Sequence, residues 1–346
     1  MTIRFAVTLC LLFASTAGAA EDETLASYPD SIGPFAGDWE GLWSSGEDKH
    51  PWIGAQVIAL GAGAYEIVLT RKLYARAPLF RTVPAQEHGD TVVFDDGEYF
   101  GEIKGDTFTG GRRGGKPGTF ELARFVLESP NLGMEPPKDA IVLFDGTNLD
   151  EWRRLSSGNT WDIIPGNALQ ANPKVGYIET EREFTDVRLH VEFRLPFLPD
   201  KRGQSRANSG VFLQKFFEVQ VLDSYGLPGY WNECGAIYQI SAPRVNMCAP
   251  PLQWQTYDIE FRAARYDKKG KLLENPRMTV VHNGVPVQTD IEMPRGTSGD
   301  AKKKPVVPPA KPECIRLQAH NNQVQFRNIW VVDLANAGDK RKRSND

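Results

Sequence analysis

The chain has 346 residues, 41% of them apolar and 24% charged, and a formal net charge of −4 at pH 7. That length predicts two domains at about 100–200 residues each, and the apolar share excludes wholesale disorder. The mild acidity argues against a nucleic-acid binder, which carries a basic surplus.

Residues 1–20 open with one positive charge, Arg4, followed by the apolar run Phe5 to Phe13 and the small residues ASTAGAA, before Glu21-Asp22-Glu23 turns acidic. That order is the layout of a secretory signal, and the run is too short to span a bilayer core of about 30 Å. We expect cleavage after Ala19 or Ala20, no transmembrane segment, and an exported mature protein, periplasmic or extracellular. Lipidation at Cys10 is not expected, because Leu9 stands where a small residue is wanted. Cys234, Cys248 and Cys314 then remain, without CxxC or paired Cys/His zinc spacing. In an oxidising compartment Cys234 and Cys248 either close a disulfide loop or stay, with Cys314, as buried thiols; spacing alone does not choose.

From 21 to 128 the chain reads as a small β-rich domain. Between Phe35 and Leu127, AQVIALGAGAYEIVLT, DTVVFDDGEYFGEIKGDTFTGG and TFELARFVLE are strands joined by glycine turns. No stretch keeps a helical apolar period, so a small antiparallel sheet or barrel is expected. Residues 129–138 (SPNLGMEPPK) hold three prolines and no periodicity, the mark of a linker.

Residues 139–335 show period-2 alternation. In RLHVEFR, Leu189, Val191 and Phe193 oppose His190 and Glu192; in FEVQVLD, Val219 and Val221 oppose Glu218 and Gln220. In QTYDIEF, Tyr257, Ile259 and Phe261 form the apolar face, and in IRLQAH, Ile315, Leu317 and Ala319 alternate with Arg316, Gln318 and His320. Asn283-Gly284 is a strong hairpin signal. Several such strands predict two stacked antiparallel sheets, a jelly-roll-like sandwich, so the whole chain is all-β. Residues 295–312 read as a solvated loop and 336–346 as a basic tail.

Several common chemistries are absent. GGRRGGKPG (110–118) has the GxxxxGK part of a phosphate loop, but Pro117 replaces the Ser/Thr and a strand follows instead of a helix. GxSxG and HExxH do not occur, and FDDG (94–97) is too short for a calcium loop. What remains is a polar set on strands: Glu218/Gln220, Arg316/Gln318/His320 and His190/Glu192. Carboxylates, amides, imidazole and guanidinium grip sugar hydroxyls and serve acid–base catalysis. The competing reading is an ordinary wet sheet face with ion pairs. Tyr225, Tyr230, Trp231 and Trp254 are either sugar-ring platforms or core.

The strings LFDGTNLDEW, ANSGVFLQ, FEVQVLDSYG, CGAIYQISAPRVNMCAPPLQWQTYDIEF, VHNGV and RLQAHNNQVQFRNIW, in that order over about 141–334, resemble the 3-keto-disaccharide hydrolase domain family. The resemblance implies a concanavalin-A-like jelly-roll sandwich, with the smaller N-terminal antiparallel β domain outside it. It also implies hydrolysis of glycosides oxidised at C3, or carbohydrate binding in the same groove. The motif-matching polar residues are Asn208, Gln214, Glu218, Gln220, Asp223, Gln255, His282, Arg316, Gln318 and His320; Ala319 stands where many members carry Asp.

A 3-keto group acidifies the C2 proton by enolate delocalisation, so a base can remove it while a donor steadies the carbonyl oxygen. The C1 substituent is then expelled and water adds back. Glu218 is expected as base (His320 second), Arg316 or Gln318 as carbonyl-oxygen partner, and Asp223 or His282 as acid to the leaving group. Asn208, Gln214, Gln220 and Gln255 are expected to bind substrate. A conventional glycosidase would instead use two carboxylates, Glu218 and Asp223, which strand parity separates unless the strand ends near Leu222. A third reading is a secreted lectin-like module without catalysis. Carbohydrate is the expected ligand, no metal or cofactor is expected, and the N-terminal segment offers a surface for an envelope partner.

Overall fold

The computed structural model describes residues 29–45, 50–71, 73, 79–153, 160–297 and 307–335. The export signal, the basic tail and 298–306 of the solvated loop lie outside the described residues. The described chain is all-β apart from short helical turns.

Eight strands come first: β1 (Gly37–Trp43), β2 (Trp52–Gly61), β3 (Ala64–Thr70), β4 (Leu79–His88), β5 (Thr91–Asp95), β6 (Tyr99–Lys104), β7 (Thr107–Arg112) and β8 (Gly118–Phe125). Each pairs antiparallel with the next, and β8 closes on β1 to complete a barrel. Alternation fills the interior: Phe120 and Leu122 of β8 point in while Glu121 points out. The interior is aromatic, with Phe108 meeting Trp39, Phe94 and Phe120 edge-on at 5.7, 5.8 and 6.0 Å. Two glycines make room for it. A Cβ at Gly101 would lie 2.6 Å from the Phe94 ring, and one at Gly110 would lie 2.4 Å from Phe120. The glycines of GGRRGGKPG thus serve packing and a hairpin, in which Arg112 donates to the Lys116 carbonyl.

Fifteen strands follow: β9 (Ile141–Phe144), β10 (Trp152–Arg153), β11 (Asp162–Ile164), β12 (Ala168–Gln170), β13 (Tyr177–Phe184), β14 (Val187–Arg194), β15 (Ser209–Leu213), β16 (Phe217–Val221), β17 (Trp254–Arg262), β18 (Arg265–Tyr266), β19 (Leu272–Glu274), β20 (Arg277–His282), β21 (Val285–Glu292), β22 (Glu313–Ala319) and β23 (Gln325–Asp333). One sheet runs β10-β13-β22-β15-β16, and another runs β11-β12-β23-β14-β17-β20-β21 with β9 also on β23. Val211, Val219 and Leu317 from the first share one buried cluster with Leu189, Val191, Tyr257 and Ile259 from the second. Asn283 and Gly284, both at positive φ, turn β20 into β21.

The segment 129–138 is no free spacer. It lies as a strap on the outer face of the second sheet: Ser129 Oγ meets Thr256 Oγ1 at 2.6 Å, Asn131 donates to Asp258, and the Gly133 N–H donates to Glu192. Beneath it His190 and Glu192 are fully buried, so they are not on a wet face and lie on the other sheet from Glu218. Burial opposes ionisation of Glu192, but hydrogen bonds from His190, Asn328, Arg327 and Gly133 hold its carboxyl at about 2. Cys234, Cys248 and Cys314 are buried and unbridged in the structure, the thiol form of the two alternatives. Cys234 Sγ lies 3.1 Å from Tyr257 Oη, and Cys248 Sγ donates to the Leu222 carbonyl.

Candidate functional site

The outer face of the five-stranded sheet carries a cleft of about 250 Å³, a little below the range of about 300–1,000 Å³ usual for small-molecule sites. Strand register builds its floor, because residues directly opposite on neighbouring strands share a face. One row runs Tyr177 (β13), Gln318 (β22), Gly210 (β15), Gln220 (β16), and the next runs Glu179, Arg316, Phe212, Glu218. Asn208 and His320 extend the face, while Gln204, Tyr238, Gln239 and Thr297 come from loops.

Gly210 is the gap that lets the rows close up. A Cβ there would sit 2.4 Å from Glu218 Oε1 and 2.8 Å from the Phe212 ring. Glu218 is only 6% exposed, and burial pushes its carboxyl up to about 8. The Gln220 amide lies 3.0 Å from Glu218 Oε1 and 3.2 Å from the Ser209 carbonyl; both are acceptors, so the amide nitrogen faces them. The Glu218 backbone N–H donates to Thr297 Oγ1 at 2.8 Å. A carboxyl held at the boundary between its two protonation states, in a polar cleft, suits proton transfer near neutral pH.

Arg316 enters from the opposite side. It donates to Glu179 Oε1 through Nε at 2.9 Å and lies over the Tyr177 ring, 4.6 Å from its centre. Burial would raise the Glu179 carboxyl, but the hydrogen bonds and charge of Arg316, with Lys215, hold it below its ordinary value. Gln318 Nε2 donates to Tyr177 Oη at 3.2 Å, and His320 is exposed at the rim. Among the described residues that line the cleft, Glu218 is the only carboxylate; Glu179 continues its row beyond the lining and is paired with Arg316.

Six of the ten residues expected from the sequence meet here: Asn208, Glu218, Gln220, Arg316, Gln318 and His320. Four do not. β16 ends at Val221, and the chain then turns Asp223 into the interior, where Arg206 Nε donates to it at 2.6 Å; burial raises its carboxyl despite that charge. His282 and Gln255 belong to the second sheet and are fully buried, joined Nε2 to Oε1 at 3.0 Å. Gln214 ends β15, at positive φ, and its amide donates to the Phe184 carbonyl. Asp223 and His282 are therefore not among the residues that line this cleft.

Tyr177, Gln204, Phe212, Tyr238, Gln239 and Thr297 line the cleft and were not anticipated. Phe212 was findable, since it shares parity with Gly210 on a strand already identified; Tyr177 depends on a pairing 141 residues away. Of the four aromatic platforms, Trp231 is half exposed and meets Tyr238 edge-on at 5.7 Å. Tyr230 is exposed, Tyr225 is buried, and Trp254 lies between Arg194 and Arg327 on the other sheet.

Residues 139–332 match the sequence model of the 3-keto-alpha-glucoside-1,2-lyase-like domain, which therefore takes in the cleft and leaves out the barrel. A solved structure described as a putative glycosyl hydrolase from Parabacteroides distasonis ATCC 8503 is similar to 57% of this chain and 85% of its own, at 37% identity and a TM-score of 0.53. A second structure from that organism, with the same description, covers 57% of this chain and 94% of its own at 16% identity and a TM-score of 0.43. No curated protein matches the chain.

Proposed function

The chain belongs to the 3-keto-alpha-glucoside-1,2-lyase-like domain family, and from that premise we propose that it is an exported hydrolase of 3-keto-glycosides. Its two sheets are read as a concanavalin-A-like jelly-roll sandwich over 139–335, preceded by a barrel domain over 21–128. The sequence pattern of residues 1–20 supports a periplasmic or extracellular location.

The observation that carries the chemistry is the lone buried carboxyl of the cleft, Glu218, at about 8. Ionised Glu218 takes the C2 proton. The electron pair moves into a C1=C2 bond as the C1–O bond breaks, and the departing oxygen takes a proton. Water then adds across the double bond, its hydroxyl to C1 and a proton to C2, completing hydrolysis. Arg316 is the partner of the 3-keto oxygen as negative charge develops there, held in place by Glu179 and Tyr177. With Asp223 and His282 in the interior, His320 at the rim is the donor to the leaving oxygen. A conventional glycosidase needs a second carboxylate about 5–9.5 Å from the first; among the described residues no other carboxylate lines the cleft, and Glu179 in the same row is engaged by Arg316.

The test is turnover of a 3-keto-glucoside alongside its unoxidised parent. Cleavage of the keto sugar alone is expected. Equal cleavage of both would favour a two-carboxylate glycosidase, and binding without cleavage would reduce the site to a lectin.

A further inference from the structure

The two loops that wall the cleft rest on the barrel. Beyond β16, Tyr225 is buried, and its hydroxyl donates to Asp38 of β1 at 2.7 Å. Two residues earlier, Asp223 is tied to Arg206 twice: by the buried ion pair and by its own N–H, which donates to the Arg206 carbonyl at 3.1 Å. Arg206 closes the short helical turn Gly203–Ser205 that carries Gln204. Gln204 in turn donates to the Asn232 carbonyl at 2.8 Å, and Asn208 donates to the Gln204 carbonyl at 3.0 Å. A line of short bonds thus runs from a barrel strand to two amides of the cleft wall.

The packing around this line is equally close. Gly226 sits on Ile58 of β2, where a Cβ would come within 2.3 Å, and a Cβ at Gly61 would come within 1.9 Å of Asp200. Arg202 donates to the Leu60 carbonyl at 2.8 Å. Ile58 and Val68, from the outer wall of β2 and β3, belong to the buried cluster of the two sheets rather than to the barrel interior. Covalently joined domains move against each other unless their interface is extensive. A hydroxyl and a carboxylate buried face to face tolerate little movement, because parting them breaks a hydrogen bond where little water can replace it.

We infer that the barrel is a working part of the cleft: Asp38, through Tyr225, holds residues 222–235 and 202–208 in the position from which Gln204 and Asn208 face the substrate. Asp38 and Tyr225 are positioning residues, touching no substrate themselves. Glu218 is held from outside those two segments, by the pairing of β16 with β15 and by its own backbone bonds to Thr297 and Tyr238. Loss of the latch therefore disturbs binding more than chemistry. This inference rests on the proposed function for its kinetic test, but not for its structural one.

The kinetic test uses the full-length protein and a 3-keto-glucoside. Tyr225→Phe keeps the ring and removes the hydroxyl; Asp38→Ala removes the acceptor; Asp38→Asn restores an oxygen that can accept. In the first two, KM is expected to rise about tenfold with kcat within about threefold of wild type, and Asp38→Asn to return KM close to wild type. An unchanged KM in both, or a fall in kcat at constant KM from a smaller folded fraction, overturns the inference. Hydrogen exchange supplies the second readout. Amides of 203–208 and 223–235 are expected to exchange faster in Tyr225→Phe and Asp38→Ala, while those of β15 do not. Unchanged protection of the two loops refutes the latch whatever the enzyme does. If the wild type cleaves no 3-keto-glucoside yet the loops lose protection, the functional reading fails and the latch stands.

Discussion

Glu218 is the costliest side chain in the cleft, and its cost has a predictable pH dependence. The substitution Glu218→Gln keeps the shape and leaves an oxygen for the Gln220 amide, but removes the ionisable group. In the folded protein the carboxyl titrates at about 8 against 4.5 for the unperturbed group. Between those values the unfolded chain has released a proton that the folded chain retains, so stability falls as pH rises, by about 1.4 kcal/mol per unit. Below about 4.5 Glu218 is protonated in both states and costs nothing on this account. At pH 7 the penalty is 2.5 units, about 3 kcal/mol. Glu218→Gln should therefore be more stable than wild type by about 3 kcal/mol at pH 7 and by under about 1 kcal/mol at pH 5, while losing its turnover of 3-keto-glucoside. Urea unfolding of both proteins at several pH values, followed by tryptophan fluorescence, measures the difference. A gap that does not widen between pH 5 and pH 7 refutes the assignment of a desolvated carboxyl at this position.

Three other outcomes follow from the same geometry. The value of kcat/KM for a 3-keto-glucoside should climb about tenfold per pH unit up to about pH 8 and then level, since only ionised Glu218 is a base; a flat profile from pH 6 to 8 would remove it from that role. Gly210→Ala drives a methyl group against Glu218 Oε1 and the Phe212 ring, and should cost about 1–3 kcal/mol in stability together with most of the activity. Wild-type kinetics in that variant would show that the floor has slack. Asp223→Ala leaves Arg206 buried without its carboxylate and should destabilise by about 3–5 kcal/mol, measurable as a lowered urea midpoint. A variant that loses activity at unchanged stability would return Asp223 to the chemistry.

The all-β character and the cleft strands were legible because alternation is a local property. Val219 and Val221 against Glu218 and Gln220, or Leu317 against Arg316 and Gln318, need only the adjacent residues to be read. Parity names a face, however, and not what covers it. His190 and Glu192 alternate as cleanly as Glu218 and Gln220, yet a strap from residues 129–134 seals them on the opposite sheet. His282 and Gln255 share the motif-matching strings with Glu218 but bond to each other in the interior of the second sheet. Asp223 lies away from the cleft because the strand stops at Val221, and from there the direction of the side chain is set by Arg206 rather than by pleating. Tyr177 stayed invisible because only the pairing of β13 with β22 brings it beside Gln318.

The strap also changes where this polypeptide can be cut. The family resemblance begins at residue 139, which invites trimming the chain there. Such a cut discards Ser129, Asn131 and Gly133, and with them one partner each of Thr256, Asp258 and Glu192. Water would then enter above His190 and its stacking partner Trp330, on the face of the sheet opposite the shared core. The shortest portion of the gene product able to keep that sheet roofed starts at or before Ser129, so the boundary set by sequence kinship and the boundary set by solvent exclusion differ by ten residues.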